Sequence, residues 1–141
     1  MKSFFDTSVL VASFLDGHEY YERSFAVLAR ADRKNACCAA HSLAELYSTL
    51  TRLPGKLGLT VEQALASLDS VAERLELISL EAPEYRHAIR EAASEGVVGG
   101  TTYDALLGQC ALKARATKIY TWNVGHFRML GADIAGRVRT P

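Results

Sequence analysis

This chain has no excess of charge. Its 141 residues include 16 Lys+Arg and 16 Asp+Glu, a formal net charge of zero. A strongly basic domain is read as a nucleic-acid binder from its field alone, and that argument is closed here. Any such binding must rest on a local patch or on bound metal ions. Cysteine is also scarce. Cys37, Cys38 and Cys110 are odd in number, and two adjoin in the apolar stretch ACCAA. That fits neither a disulfide framework nor a CxxC zinc site. They read as small buried apolar residues in a reducing compartment. No apolar run approaches the roughly 18 residues of a membrane span. Asp6 interrupts what would otherwise be a short signal-peptide core ending in Val9–Leu15, so the expected location is cytoplasmic. There is no internal repeat, no low-complexity segment and no HExxH. The glycine cluster GVVGG at 96–100 lacks the Lys-Ser/Thr of a phosphate-binding loop and reads as a hinge.

What is present fits one domain, residues 1–141, with a real hydrophobic core: 49% of residues are hydrophobic and 23% charged. Short apolar runs predict strands at Lys2–Phe5, Asn35–Ala40, Leu75–Leu80 and Lys118–Thr121, with an edge strand near Ile134–Val138. Between them, periodicity predicts helices from Thr7 or Ser8 to Leu15 and from His18 to Ala31, the latter with Tyr21, Phe25 and Leu28 on one face. Further helices are predicted at Ser42–Arg52, Val61–Arg74 capped by Thr60, Pro83–Ser94, Thr102–Ala116 and His126–Leu130. Strands alternating with helices imply an α/β fold with a mainly parallel sheet, whose sites form at the carboxyl edge of the strands.

Four polar residues fall on that edge. Asp6 directly follows the first strand. Glu45 lies in the first turn of the helix after the second. Asp104 opens the helix that runs back to the fourth strand, and Asn123 follows that strand. Each has a plainer reading. Asp6 is a good helix cap, Ser42–Glu45 matches a capping box and Thr101–Asp104 a looser one, and Asn123 suits a turn. Asp104 departs from this because its helical neighbours Leu107 and Ala111 put it on an apolar face, where a carboxylate needs a partner. Three carboxylates on one edge repel each other without a counter-charge. A hard divalent cation such as Mg²⁺ or Mn²⁺ is the natural one, and it suits phosphoryl-transfer chemistry. The histidines offer less. His41 and Glu45 are four apart with no third ligand, His18 and His87 are expected in solvent, and His126 is expected to pack at the sheet edge beside Phe127.

FFDTSVL at the start, Glu45 in SLAELYSTL, YDALLGQCALKARA around Asp104 and IYTWNVGHF near the end together resemble the PIN-domain family, in particular its VapC-type ribonuclease toxins. The resemblance runs from Lys2 to Phe127. It implies a three-layer α/β/α sandwich on a sheet of four to five strands. It also implies a Mg²⁺- or Mn²⁺-dependent endoribonuclease, the toxin of a type II toxin–antitoxin pair, hydrolysing RNA by metal-activated water. Asp6, Glu45 and Asp104 match the acids that hold the metal. Asn123 stands where many members have a fourth Asp, so the site has one negative charge fewer. Thr7 and Ser8 match hydroxyls that order the first acid, with Thr121 supporting. A cognate antitoxin, an RNA substrate and a homodimer are implied partners, with apolar residues near Val27–Ala31 and Leu43–Leu53 as candidate interfaces. Arg52 and Lys56, or Arg128, Arg137 and Arg139, are candidates to line an RNA path.

Rival readings fit less well. A receiver domain needs a paired acid after its first strand, and a haloacid-dehalogenase-type phosphatase needs DxDx[TV], against Asp6-Thr7-Ser8 here. A non-catalytic PIN-fold scaffold for RNA or protein remains the alternative, with Asn123 as its best support.

Overall fold

The computed structural model describes residues 1–141, except for the side chain of Lys56, so that RNA-path candidate lies outside the described residues. A parallel sheet of five short strands organises the chain: β1 (Ser3–Phe5), β2 (Ala36–Ala39), β3 (Glu76–Ile78), β4 (Lys118–Tyr120) and β5 (Val138–Arg139). The spatial order is β3-β2-β1-β4-β5, with every pairing parallel. The strands are apolar because both faces of the sheet are covered. Successive side chains point to opposite faces. Phe4, Cys37 and Ile119 go to one core, and Phe5, Cys38 and Tyr120 to the other.

Four helices cover the Phe5 face: α1 (Thr7–Ser13), α2 (Tyr21–Ala29), α3 (His41–Arg52) and α4 (Val61–Arg74). Their buried residues Leu10, Leu28, Leu46, Leu50 and Val71 fill that core. The Phe4 face is covered by α5 (Ala82–Ser94), α6 (Thr101–Lys113), α7 (Val124–Arg128) and α8 (Ala132–Ala135), through Ala92, Leu107, Ala111, Phe127 and Ile134. This is a three-layer α/β/α sandwich. Each fully buried Leu or Phe contributes about 1.5–3 kcal/mol, so packing rather than helix propensity holds the layers together. The chain builds outward from β1 to β3, then crosses to β4 on the other side of β1. The strand order therefore reverses between β1 and β4, which places a crevice at their carboxyl ends.

Several sequence expectations need correction. Ile134 belongs to a short helix rather than the edge strand, because its side chain packs into the space left by Gly108 on α6; β5 begins only at Val138. The apolar stripe of α2 is divided: Leu28 is buried, while Phe25 is 49% exposed. Ala31, Leu46 and Leu50 are core residues and are not free to form an interface. Arg137 binds the carbonyl of Ala116, the residue group leading into β4, so it lies at the amino edge of the sheet, away from the crevice. The three cysteines are buried free thiols, and burial raises the pKa of each, to about 12 for Cys37 and Cys38 and about 11 for Cys110.

Candidate active site

The crevice opens into a cleft of about 450 Å³ lined by Asp6, Glu45, Asp104 and Asn123, the four residues the sequence assigns to the carboxyl edge. Asp6 ends β1 in the ladder, its N–H donating to the Tyr120 carbonyl at 3.0 Å. The residue is 1% exposed. It occupies the N-cap position of α1 but makes no capping hydrogen bond. Instead, the hydroxyls of Ser8 and Thr121 donate to Oδ2 at 2.6 and 2.7 Å. Those hydroxyls accept in turn from the backbone N–H groups of Trp122 (3.0 Å) and Asn123 (2.9 Å). The turn after β4 is thereby locked onto the acid after β1. Burial raises the Asp6 pKa. The two hydroxyls, and the nearby N–H dipoles of Ser8 and Thr7, oppose that rise.

Thr7 turns the other way. Its Oγ1 donates to Glu45 Oε1 at 2.9 Å and lies 2.8 Å from Ser42 Oγ. Thr7 therefore orders the second acid rather than the first. The same contacts overturn the capping-box reading of Ser42–Glu45. Ser42 is fully buried against Thr7, and no side chain caps α3. Nor does any side chain cap α6, so Asp104 is not part of a capping box, although it stands in the first turn of its helix. Asp104 Oδ2 lies 3.0 Å from Nδ1 of His126, whose side chain is 56% exposed rather than packed at the sheet edge. Burial first, then the negative charges of Asp6 and Glu45, raise the Asp104 pKa to about 6 against the opposing pull of His126. The three carboxylates are thus close enough to interact, and no Lys or Arg lines the cleft among the described residues.

This donor set fits a hard divalent cation in chemistry: carboxylate oxygens, an uncompensated negative charge and an exposed amide in Asn123. As the side chains stand, no three of the described His, Cys, Asp and Glu groups converge on one ion position. Asp104 faces His126 through Oδ2, so holding a cation together with the other acids would require these side chains to move closer.

The sequence reading missed the cleft's other wall. His18, expected in solvent, is half-buried there, together with Tyr20 and Trp122. The tryptophan in TWN was visible as a motif letter. Its packing on Tyr20, more than one hundred residues away in sequence, was not.

The PIN domain family pattern matches residues 3–128. Ribonuclease VapC40 of Mycobacterium tuberculosis is 38% identical over 116 residues, covering 82% of each chain. Ribonuclease VapC27 of the same organism is 35% identical over 111 residues, covering 79% of this chain and 77% of its own. Among solved structures, VapBC2 from Rickettsia felis, bound to a DNA fragment from its promoter, aligns with a TM-score of 0.68 at 22% identity, over 99% of this chain and 98% of that one. Mycobacterium tuberculosis VapC20, a sarcin-ricin loop cleaving toxin, gives 0.71 at 17% identity over 86% and 89%. The fold, the family pattern and these relatives agree: the chain belongs to the PIN domain family, among its VapC-type ribonucleases.

Proposed function

We propose that this chain is a Mg²⁺- or Mn²⁺-dependent endoribonuclease and the toxin of a type II toxin–antitoxin pair, acting through Asp6, Glu45, Asp104 and Asn123. The observation that carries this is the coupling of three carboxylates from separate elements in one cleft without a lining cation. Asp6, Asp104 and Glu45 would hold the ion, which when bound supplies Lewis-acid charge beside the scissile phosphate. Ser8 and Thr121 keep Asp6 fixed, so its free oxygen needs little reorganisation. Glu45, oriented by Thr7, takes a proton from the attacking water. The water oxygen bonds to phosphorus, the bond to the 3′ oxygen breaks and that oxygen is protonated, leaving 5′-phosphate and 3′-hydroxyl ends. The exposed Asn123 amide offers a hydrogen bond to the substrate or its waters.

Inhibition has a place in the same geometry. An apolar groove formed by Phe14, Leu15, Tyr21, Phe25, Leu57 and Leu59 runs beside the cleft, and Val11, His18 and Thr49 line both. An apolar antitoxin segment seated there would end at the acids.

The test is cleavage of a labelled RNA panel by protein freed of antitoxin, in Mg²⁺, Mn²⁺ or EDTA, with Asp104→Asn in parallel. Cutting that requires metal and disappears in the variant is the expected result. Equal cutting by both proteins, or cutting in EDTA, would remove these acids from the mechanism. If wild type binds no metal, the non-catalytic scaffold is favoured instead.

A further inference from the structure

The cleft has two halves of opposite character. One carries the carboxylates. The other is a flat, uncharged aromatic wall. Tyr20 lies on Trp122 with ring centroids 3.8 Å apart and planes within 10°. His18 flanks Tyr20 at 5.9 Å. The wall is tightly held. Trp122 Nε1–H donates to the fully buried Ser24 hydroxyl at 2.8 Å. The Trp122 backbone N–H donates to Ser8, the residue that also holds Asp6. One hydroxyl thus sets the wall in register with the acids. The Tyr20 N–H donates to His18 Nδ1 at 3.0 Å, which leaves the N–H of the ring on Nε2.

We infer that this wall is a nucleobase subsite, at which one unpaired base beside the scissile phosphate stacks against Tyr20, backed by Trp122. The inference rests on the nuclease reading and adds a base-contact position to it. A wall without charge does not recognise phosphate. It does offer the stacking face by which proteins hold splayed bases of single-stranded RNA. A cleft of about 450 Å³ has the size of a small-ligand site, suited to one nucleotide unit rather than a helix. In a duplex each base face is covered by its neighbours, so only an unpaired or flipped base can use the wall. Arg23, with its guanidinium 5.2 Å from the Trp122 ring centroid, packs on that ring and is not among the residues that line the cleft.

Trp122 is the chain's single tryptophan, so intrinsic fluorescence reads this wall directly. The Asp104→Asn protein in EDTA, which relieves repulsion among the acids and prevents cutting, is titrated with three probes. They are a mixed-sequence single-stranded oligoribonucleotide, the same strand annealed to its complement, and an abasic strand of equal length. The single strand is expected to change the fluorescence saturably and to bind about tenfold more tightly than either control. Adding Tyr20→Ala should weaken it by about tenfold, while Tyr20→Phe binds like the parent. If Tyr20→Ala does not fold, Tyr20→Leu keeps the bulk without the flat face and is expected to show the same loss. Equal binding of all three probes, or parental affinity in a folded Tyr20→Ala or Tyr20→Leu protein, overturns the subsite. The two readings fail separately. Metal-dependent cutting with unchanged KM in Tyr20→Leu removes the subsite and leaves the nuclease. Tyr20-dependent binding without any cutting by wild type does the reverse.

Discussion

Asp104 is held where its charge is costly. With a pKa raised to about 6 by burial and by Asp6 and Glu45, it is more readily protonated in the folded chain than in the unfolded one. Linkage then fixes the sign. In the metal-free protein the Asp104 contribution to stability is fully present below the unfolded carboxylate value near 4 and is lost as pH rises through about 6. Asp104→Asn should therefore stabilise the metal-free protein at pH 7 by about 1–2 kcal/mol and have little effect at pH 4. Urea melts in EDTA at the two pH values check this, and a destabilised variant at pH 7 would contradict it. Mg²⁺ should raise the melting temperature of wild type but not of the variant. Asp6 depends on its hydroxyls. Thr121→Val keeps the shape but removes one donor from a buried carboxylate, so it should cost about 1.5–3 kcal/mol in urea melts at pH 7. The sequence located the acids because each sits where a strand ends or a helix begins, positions that topology alone carries to one edge. It did not show which hydroxyl serves which acid. That depends on side-chain directions across three elements, and so Thr7 and Ser8 were expected to act together but serve different carboxylates.

Helices were legible from periodicity and punctuation, and Thr60 caps α4 as its sequence suggests, in a capping box that the structure completes with Gln63. Their ends were less legible, because tertiary contacts decide where a helix stops. After α6, Arg115 adopts φ +58°, a left-handed conformation in which the Ala116 N–H reaches back to the Ala111 carbonyl at 3.0 Å. Glycine takes this position in most such caps, because a β-carbon costs about 1 kcal/mol there. Arg115→Gly should accordingly stabilise the fold by up to about 1 kcal/mol, seen as a higher melting temperature. The opposite case is Gly58, where the chain crosses the end of α3. A β-carbon would lie 2.4 Å from the Leu53 carbonyl oxygen, a backbone atom that cannot swing away. Gly58→Ala should cost about 1–3 kcal/mol and loosen the apolar groove that includes Gly58, measured by chemical denaturation. No periodicity argument reveals such a contact, since it depends on how closely two segments pass.

At the scale of the whole molecule, exposed apolar side chains gather beside the cleft and on the α5–α6 side. The groove around Phe25 and Leu57 adjoins the cleft and suits the antitoxin. On the α5–α6 side, Tyr85 and Ile89 lie one helical turn apart, and Tyr103 faces His41 with parallel rings 6.2 Å apart. Tyr85 and His41 border the same depression, so these side chains form one continuous patch. The sequence places candidate interface residues near Val27–Ala31 and Leu43–Leu53, where Leu28, Leu46 and Leu50 are core. Hydrophobicity marks burial of either kind, and only the packed fold separates core from contact surface. A homodimer, the remaining partner that the resemblance implies, fits the α5–α6 patch because it lies away from the groove and meets the cleft only at Leu107, leaving the carboxylates free. Tyr85→Asp or Ile89→Asp puts an unpaired charge into such an interface but changes only exposed positions in the monomer. Light scattering should show wild type at twice the chain mass and both variants at the chain mass, with unchanged far-UV circular dichroism. Wild type at the monomer mass would place the dimer reading in error, and a dimer that persists in both variants would move it to another face. Phe25→Asp serves as the contrast, because it should leave the dimer intact and weaken antitoxin binding alone.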